Sequence, residues 1–277
     1  MMSLSARFFS VVKYVSLILG VAATIIPILV VLFASFKSRE EYVSTGALIP
    51  PQSWLNFENY TRAFTEGRML LGFFNTFIIF VLAVSSAILL GLMISYILSR
   101  FQFRGSKLML GLFLLATLIP AVTTQVATFQ IISELGLFNT RWSAIILFMS
   151  TDIIAVFVFL QFLDRVSVSL DESAMLDGAS YFTIFRKIIV PQLKPAIATI
   201  FIIKGVAVYN DFYIPYLYMP KAELQVISTA LFKFQGPYGA QWEIICAGVI
   251  IVVIPTLIIF LALQRYIYNG FSEGSVK

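Results

Sequence analysis

Histidine is missing from this sequence altogether, cysteine occurs once, and charge is scarce: 12% of the 277 residues are Asp, Glu, Lys or Arg, against about 25% in a soluble domain. Each shortage removes a class of chemistry. Without an imidazole there is no histidine-dependent catalytic triad, and most zinc sites lose their nitrogen ligands. The single cysteine, Cys246, allows no disulfide framework within the chain. No G-x-x-x-x-G-K-[ST] segment occurs, nor even a Gly-Lys pair, so the chain has no P-loop to cradle nucleotide phosphates. The net charge of +5 is spread over the segments between apolar runs. It reads as membrane orientation and not as a nucleic-acid surface.

What the sequence does hold is hydrophobic length, since 60% of its residues are apolar. A membrane crossing takes about 20 such residues, because the hydrocarbon is ~30 Å thick and a helix rises ~1.5 Å per residue. Six runs qualify, at about 14–36, 70–99, 108–133, 142–163, 195–220 and 244–264. Asp152 interrupts the fourth, and Lys204 and Asp211 lie in the fifth. The first run is longer than a signal-peptide core of about 7–15 residues and has no A-x-A site after it, so it is expected to stay. With the N-terminus inside, Lys and Arg favour the inner segments by 11 to 7, which places both termini in the cytoplasm.

Two soluble segments stand out. The outer one, 37–68, contains Pro50 and Pro51, then Asn56 as a cap for a short helix over Glu58 to Phe64. Its Trp54, Phe57, Tyr60 and Phe64 suit a membrane interface or a docking surface. The inner one, 164–194, includes "SLDESAMLDGASYFTIFRKIIVP". Ser169 followed by Glu172 fits a capping box, which predicts a helix over about Leu170 to Asp177. Gly178 supplies a left-handed stop. A second helix is expected from near Ser180, with Tyr181, Phe182, Phe185, Ile188 and Ile189 on one face and an exit at Pro191. Passive connections usually take 2–8 residues; a structured bend of this length is built to be held by something else.

Glu172, Ala174, Gly178, then nine residues to Ile188, and Pro191 resemble the E-A-A-x3-G-x9-I-x-L-P signature of the membrane subunits of binding-protein-dependent ABC importers. Ser173 replaces the second alanine and Val190 the leucine. "YILSRFQFRGSKLML" and "LGLFNTRWSAIIL" resemble loops of the carbohydrate-uptake branch. "YNDFYIPYLYM" is similar to its W-N-D-F-x-x-P-L motif, with Tyr209 in place of tryptophan, and "LQRYIYNGFSEGSVK" to the end of the maltose-permease type.

The resemblance implies an all-α integral membrane protein with the type I ABC importer permease fold: one transmembrane domain over 1–277, six spans and a cytoplasmic coupling loop, in a bacterial cytoplasmic membrane. It implies three partners: a second homologous permease, a cytoplasmic ABC ATPase dimer that binds ATP and Mg, and an external sugar-binding protein. No cofactor, metal or catalytic residue of its own is expected. Glu172, Ser173, Ala174, Asp177, Gly178, Ile188 and Pro191 would meet the ATPase. The cargo would be a sugar, an oligosaccharide before a monosaccharide. The rival readings are the same machine carrying a glycerol phosphate, polyamine or peptide, and a secondary transporter or channel working alone.

Charged and amide groups within a bilayer need a partner or a watery path. Tyr209, Asn210, Asp211 and Tyr213 combine aromatic faces with hydrogen-bonding groups suited to sugar rings. Thr123 and Gln125 follow Pro120, where a break could expose backbone to a cavity, and Asn75 opens the second span. All seven are candidates for a translocation path. Each also reads as helix–helix glue, Asn210 and Asp211 as a kink near Pro215.

Overall fold

The computed structural model describes residues 4–101, 103–150, 152–236 and 239–275. In chain order, α1 (Leu4–Phe36) precedes two short helices, α2 (Arg39–Ser44) and α3 (Glu58–Glu66), and then the long α4 (Met69–Arg100). Next come α5 (Ser106–Thr117), α6 (Ala121–Glu134), α7 (Arg141–Met149) and α8 (Ile153–Leu163). The charged loop over 164–194 forms α9 (Val168–Leu176), α10 (Tyr181–Ile184), a π-helical turn (Phe185–Ile189) and α11 (Val190–Gln192). After α12 (Lys194–Asn210) and α13 (Tyr213–Tyr218), short turns and α14 (Ile227–Ala230) lead to α15 (Trp242–Ser275). Among the described residues the only strands are a two-residue hairpin, Gln235–Gly236 with Gly239–Ala240. The helical class follows from the solvent: hydrocarbon offers backbone amides no partner, so long apolar runs must satisfy them internally.

Among the described residues three helices, Val12–Phe36, Met69–Arg100 and Trp242–Ala262, are long and apolar enough to cross a membrane; three bent pairs, Ser106–Thr117 with Val122–Glu134, Arg141–Met149 with Ile153–Leu163, and Tyr181–Gln192 with Lys194–Asn210, bring the count to six if each is one span. The expected runs at 108–133 and 142–163 are therefore not continuous helices, and the run at 195–220 divides into α12 and α13. Between α5 and α6 the axis turns by 103° at Pro120, which has no N–H to donate and forces the preceding residue out of the α region. Between α7 and α8 it turns by 42°. There Asp152 is extended, and its carboxylate accepts a 2.9 Å hydrogen bond from the N–H of Ile154 to cap α8. The fifth run stops at Asn210, and Asp211 leaves the helix with extended backbone.

The chain divides into two compact units, residues 1–70 with 230–255, and residues 71–229 with 256–277. In the first, the segment after α1, residues 37–68, is fastened to the end of that helix. Buried Lys37 donates to Thr45 Oγ1 at 2.9 Å and to the carbonyl of Gly46 at 3.0 Å. Asn59 donates to the carbonyls of Ser35 and Lys37, and the ring of Phe36 meets Trp54, Phe57 and Tyr60. Asn56 Oδ1 accepts from the N–H of Glu58, the first residue of α3, although the N-cap position itself is taken by Phe57, not by Asn56 as expected.

In the second unit the core forms along one stripe of α4, where Val84, Leu92 and Tyr96 pack with Phe159 and Leu163 of α8 and with Ile184, Ile189 and Leu193. Small residues let α8 come close: a Cβ on Gly91 would sit 3.2 Å from the Phe159 ring. Ser95 Oγ reaches the carbonyl of Val156 at 3.1 Å. Close backbone approach through small and hydroxyl residues is how helices associate where hydrophobic burial supplies little drive.

Candidate functional site

The charged loop opens on a cap other than the one expected. Ser167, not Ser169, precedes the first helical residue, and its hydroxyl accepts from the N–H of Ser169 at 3.3 Å. No capping box between Ser169 and Glu172 forms. The cause lies on α4: Arg100 Nη2 donates to the carbonyl of Val166 at 2.8 Å, and Nε donates to Asp171 Oδ2 at 2.8 Å. Held on both sides of residue 168, the chain enters the helix there. Asp171 and Ala174, three apart, then face inward and are buried, whereas Glu172, Ser173 and Asp177 are exposed.

α9 stops at Gly178, whose φ of +82° is the left-handed conformation expected of it. The N–H of Ala179 bonds to the carbonyl of Ala174, and that of Gly178 to Met175. This paired closure satisfies carbonyls that a helix end leaves open. Past the bend, Ser180 caps α10 by accepting from the N–H of Thr183 at 3.3 Å.

The second half corrects the expected apolar stripe. Tyr181 and Phe182 are exposed, while Ile184, Phe185 and Ile189 are buried and Ile188 is half-buried. A π-helical turn explains the shift: the N–H of Val190 reaches back five residues to the carbonyl of Phe185, moving the inward face by one position. The turn lies next to Pro191, whose missing N–H would have continued the four-residue ladder. Pro191 does not mark the exit. Helical backbone runs to Gln192, and the axis turns by 76° between Tyr181–Gln192 and Lys194–Asn210.

Large apolar side chains are left exposed on both sides of the bend. Leu176, beside the bend, is 90% exposed and Phe182 is 69% exposed. Glu172, exposed on the same helix, enters no hydrogen bond or ion pair among the described residues.

A second cluster lies at the break after α12. Asn210 is exposed, and its amide donates to the carbonyl of Val206. Asp211 Oδ1 accepts from the N–H of Ile214 at 2.8 Å, capping α13, and its carbonyl accepts from Ser228 Oγ at 2.7 Å. Phe212 stacks on Tyr216 with centroids 5.1 Å apart, and Tyr213 is half exposed. Tyr209, the penultimate residue of α12, is half-buried. Thr123 and Gln125 lie on another element, α6: Thr123 is exposed at its start, its hydroxyl bonded to the carbonyl of Pro120, and Gln125 is half-buried. Asp152 and Lys204 face each other across α8 and α12 at 3.9 Å.

Asn75 belongs to neither cluster. It is fully buried. Its amide donates to the carbonyls of Glu223 and Gln225 at 2.9 and 2.8 Å, and its Oδ1 accepts from Arg141 Nε at 2.8 Å. Both amide hydrogens are taken and the oxygen already accepts one bond, so in this structure Asn75 clamps the segment 223–225.

Sequence reading also missed the Arg100–Asp171 pair, whose side chains are 8% and 5% exposed. A signal was present: Asp171 shares its helix face with Ala174, so in any helix here it goes where the alanine goes.

Residues 87–272 match the family described as binding-protein-dependent transport system inner membrane component. The multiple sugar-binding transport system permease protein of Streptococcus mutans is 32% identical, with 96% of each chain covered. The arabinooligosaccharides transport system permease protein of Halalkalibacterium halodurans is 30% identical over 91% of each, and the melibiose/raffinose/stachyose import permease protein of Bacillus subtilis 29% over 92% of each. In fold, the chain is similar to one in the crystal structure of a bacterial ABC transporter involved in the import of the acidic polysaccharide alginate. The TM-score is 0.83 at 21% identity, covering 96% of this chain and 99% of the other.

Proposed function

The chain belongs to the binding-protein-dependent transport system inner membrane components, and on that premise we propose that it is one half of the pore of an ATP-driven sugar importer, coupled to a separate ATPase through the loop 169–191. The exposed apolar knob at the Gly178 bend carries this reading. Leu176 and Phe182 stand out from the helices at 90% and 69% exposure, on a segment too charged to enter lipid. Burial of such side chains in a partner's cleft stabilises by roughly 1.5–3 kcal/mol each. Glu172, Ser173 and Asp177 ring the knob with polar groups, as the rim of a protein interface requires. Ala174, buried, and Ile188, half-buried, act from behind, holding the two helices in place, while Pro191 is exposed with the polar residues.

The second permease completes the pore, an external binding protein delivers the sugar, and both termini face the cytoplasm. Access alternates. ATP closes the nucleotide-binding dimer, the two permeases' loops move inward with it, and the spans turn to face outside; hydrolysis reverses the motion. This chain supplies no nucleotide site and no reacting group. That several relatives are named for oligosaccharides supports sugar as cargo. So does the break after Asn210, where an amide and the rings of Tyr213 and Tyr216 are exposed together. Tyr209, Asn210, Asp211, Tyr213, Thr123 and Gln125 are the path residues of this proposal.

Reconstitution tests it. The chain alone in liposomes should neither hydrolyse ATP nor take up sugar, and uptake should appear only when partner permease, ATPase and loaded binding protein are all added. Robust uptake by the lone chain would remove the importer reading. For the path, Asp211→Ala removes a helix cap worth about 1 kcal/mol from a chain with many other contacts. It should lower uptake more than it lowers recovery of the assembled complex. Equal losses of the two would make Asp211 a structural cap and nothing more.

A further inference from the structure

The loop and the break after α12 are both held by one helix. At its Arg100 end, α4 grips the loop on either side of Gly178. Arg100 binds Asp171 of α9 at 2.8 Å. The ring of Tyr96 meets Phe185 with centroids 5.4 Å apart, and Phe101, directly after α4, meets Tyr181 of α10 at 5.1 Å. At its other end α4 grips the segment that follows the break. Asn75 holds the carbonyls of Glu223 and Gln225, and Thr76 Oγ1 accepts from the N–H of Ile227 at 2.9 Å. Gly72 leaves room for that backbone, since a Cβ there would lie 3.3 Å from the nitrogen of Ile227. Next in sequence, Ser228 is bonded to the carbonyl of Asp211 itself.

We infer that α4 is the transmission element of this permease, conveying the position of the ATPase-facing loop to the Asp211 break. The inference rests on the coupling role proposed for the loop. Between Asn75 and Arg100 α4 is unbroken helix, about 38 Å at ~1.5 Å per residue. The covalent route through α12 instead leaves the loop by a 76° bend. Grip, not length alone, makes a rod useful, and here the grip is built of a buried ion pair at one end and buried amide bonds at the other. Asp171 Oδ1 is buried with no hydrogen-bond partner. The pair thus holds through one oxygen and keeps a second able to accept a donor if the loop shifts. Arg100 and Asp171 are positioning residues: they touch neither sugar nor nucleotide, and act by making α4 and α9 move together.

The test uses the complete complex, with Cys246→Ser and a reporter, Tyr213→Cys, at the break. Maleimide labelling of the reporter is measured with and without ATP plus vanadate to trap the closed ATPase. Without further change, trapping should alter the labelling rate at least about fivefold, the lower range of ordinary coupling between sites. Adding Asp171→Asn at one end of α4, or Asn75→Ala at the other, should bring the two rates within about twofold while the ATPase still copurifies. Arg100→Lys, which keeps a cation opposite Asp171, should retain the response. Labelling that still follows trapping in the Asp171 and Asn75 variants overturns the inference. So does a reporter that never responds although the ATPase is bound, and so does loss of the ATPase in both variants, which would make these contacts mere supports of the loop. Failure of the ATPase to copurify with the unsubstituted chain would instead remove the coupling reading beneath.

Discussion

Valine in place of Gly178 should leave the chain in the membrane at wild-type levels and break its hold on the ATPase. The glycine sits at φ +82°, with no atom within 4 Å of where a Cβ would be. Space is therefore not the obstacle; the backbone is. A β-branched residue resists the left-handed region, and holding one there costs about 1–3 kcal/mol. The chain can relieve that strain by opening the bend, which breaks the bonds from Ala179 to Ala174 and from Gly178 to Met175 and swings α9 away from α10. A partner's cleft shaped for the bent loop then binds more weakly by about tenfold or more, since each 1.4 kcal/mol is tenfold. Because the effect is conformational, alanine should act in the same direction but less, and asparagine, which tolerates this region best among the others, least of all. ATPase copurification at matched membrane levels measures the series. An order set by side-chain volume instead of by conformational preference would contradict this cause.

Glu172→Lys should be as severe, by a different route. The carboxylate is exposed and has no partner in the chain among the described residues, so the fold does not need it. In a cleft where it meets a basic residue, truncating one side of the desolvated pair costs about 2–5 kcal/mol. Reversal adds repulsion, which corresponds to a loss of affinity of about 30-fold or more. An acidic substitution of the matching basic residue in the ATPase should recover part of it. The adjacent acid, Asp171, is the internal contrast. Its partner Arg100 is in the same chain, so no change in the ATPase should rescue an Asp171 variant. Rescue of both, or of neither, would contradict the assignment of these two neighbours to opposite faces.

What could be read from the sequence was whatever depends on a short stretch alone. Apolar length located the long helices α1, α4 and α15, because hydrocarbon thickness sets one number for all of them. Gly178 declared its own conformation. Interruptions were legible as residues but not as geometry. Pro120 and Asp152 were conspicuous, yet whether they bend a span by 103° or 42° depends on what packs beside them. The loop shows the same limit more sharply. Ser167 and Ser169 are equally good caps, and the choice between them comes from Arg100, 71 residues from Asp171 in sequence. The π-helical turn before Pro191 rotates the apolar face by a single position, which a regular period cannot anticipate. Asn75 reads in sequence as a polar group facing cargo, and only the fold brings Glu223, Gln225 and Arg141 to both of its amide hydrogens and its oxygen.

Cross-linking from the knob tests the central claim most directly. Leu176→Cys, with Cys246→Ser to remove the only natural thiol, places a reactive group at the most exposed apolar position of the loop. A second chain carrying Val43→Cys, 77% exposed on the outer segment, serves as the comparison. In membranes bearing the assembled complex, a short bifunctional reagent should join residue 176 to the ATPase and leave residue 43 unjoined to it. A chain whose residue 176 never captures the ATPase, and is labelled instead by reagents added from outside the cell, would contradict the account.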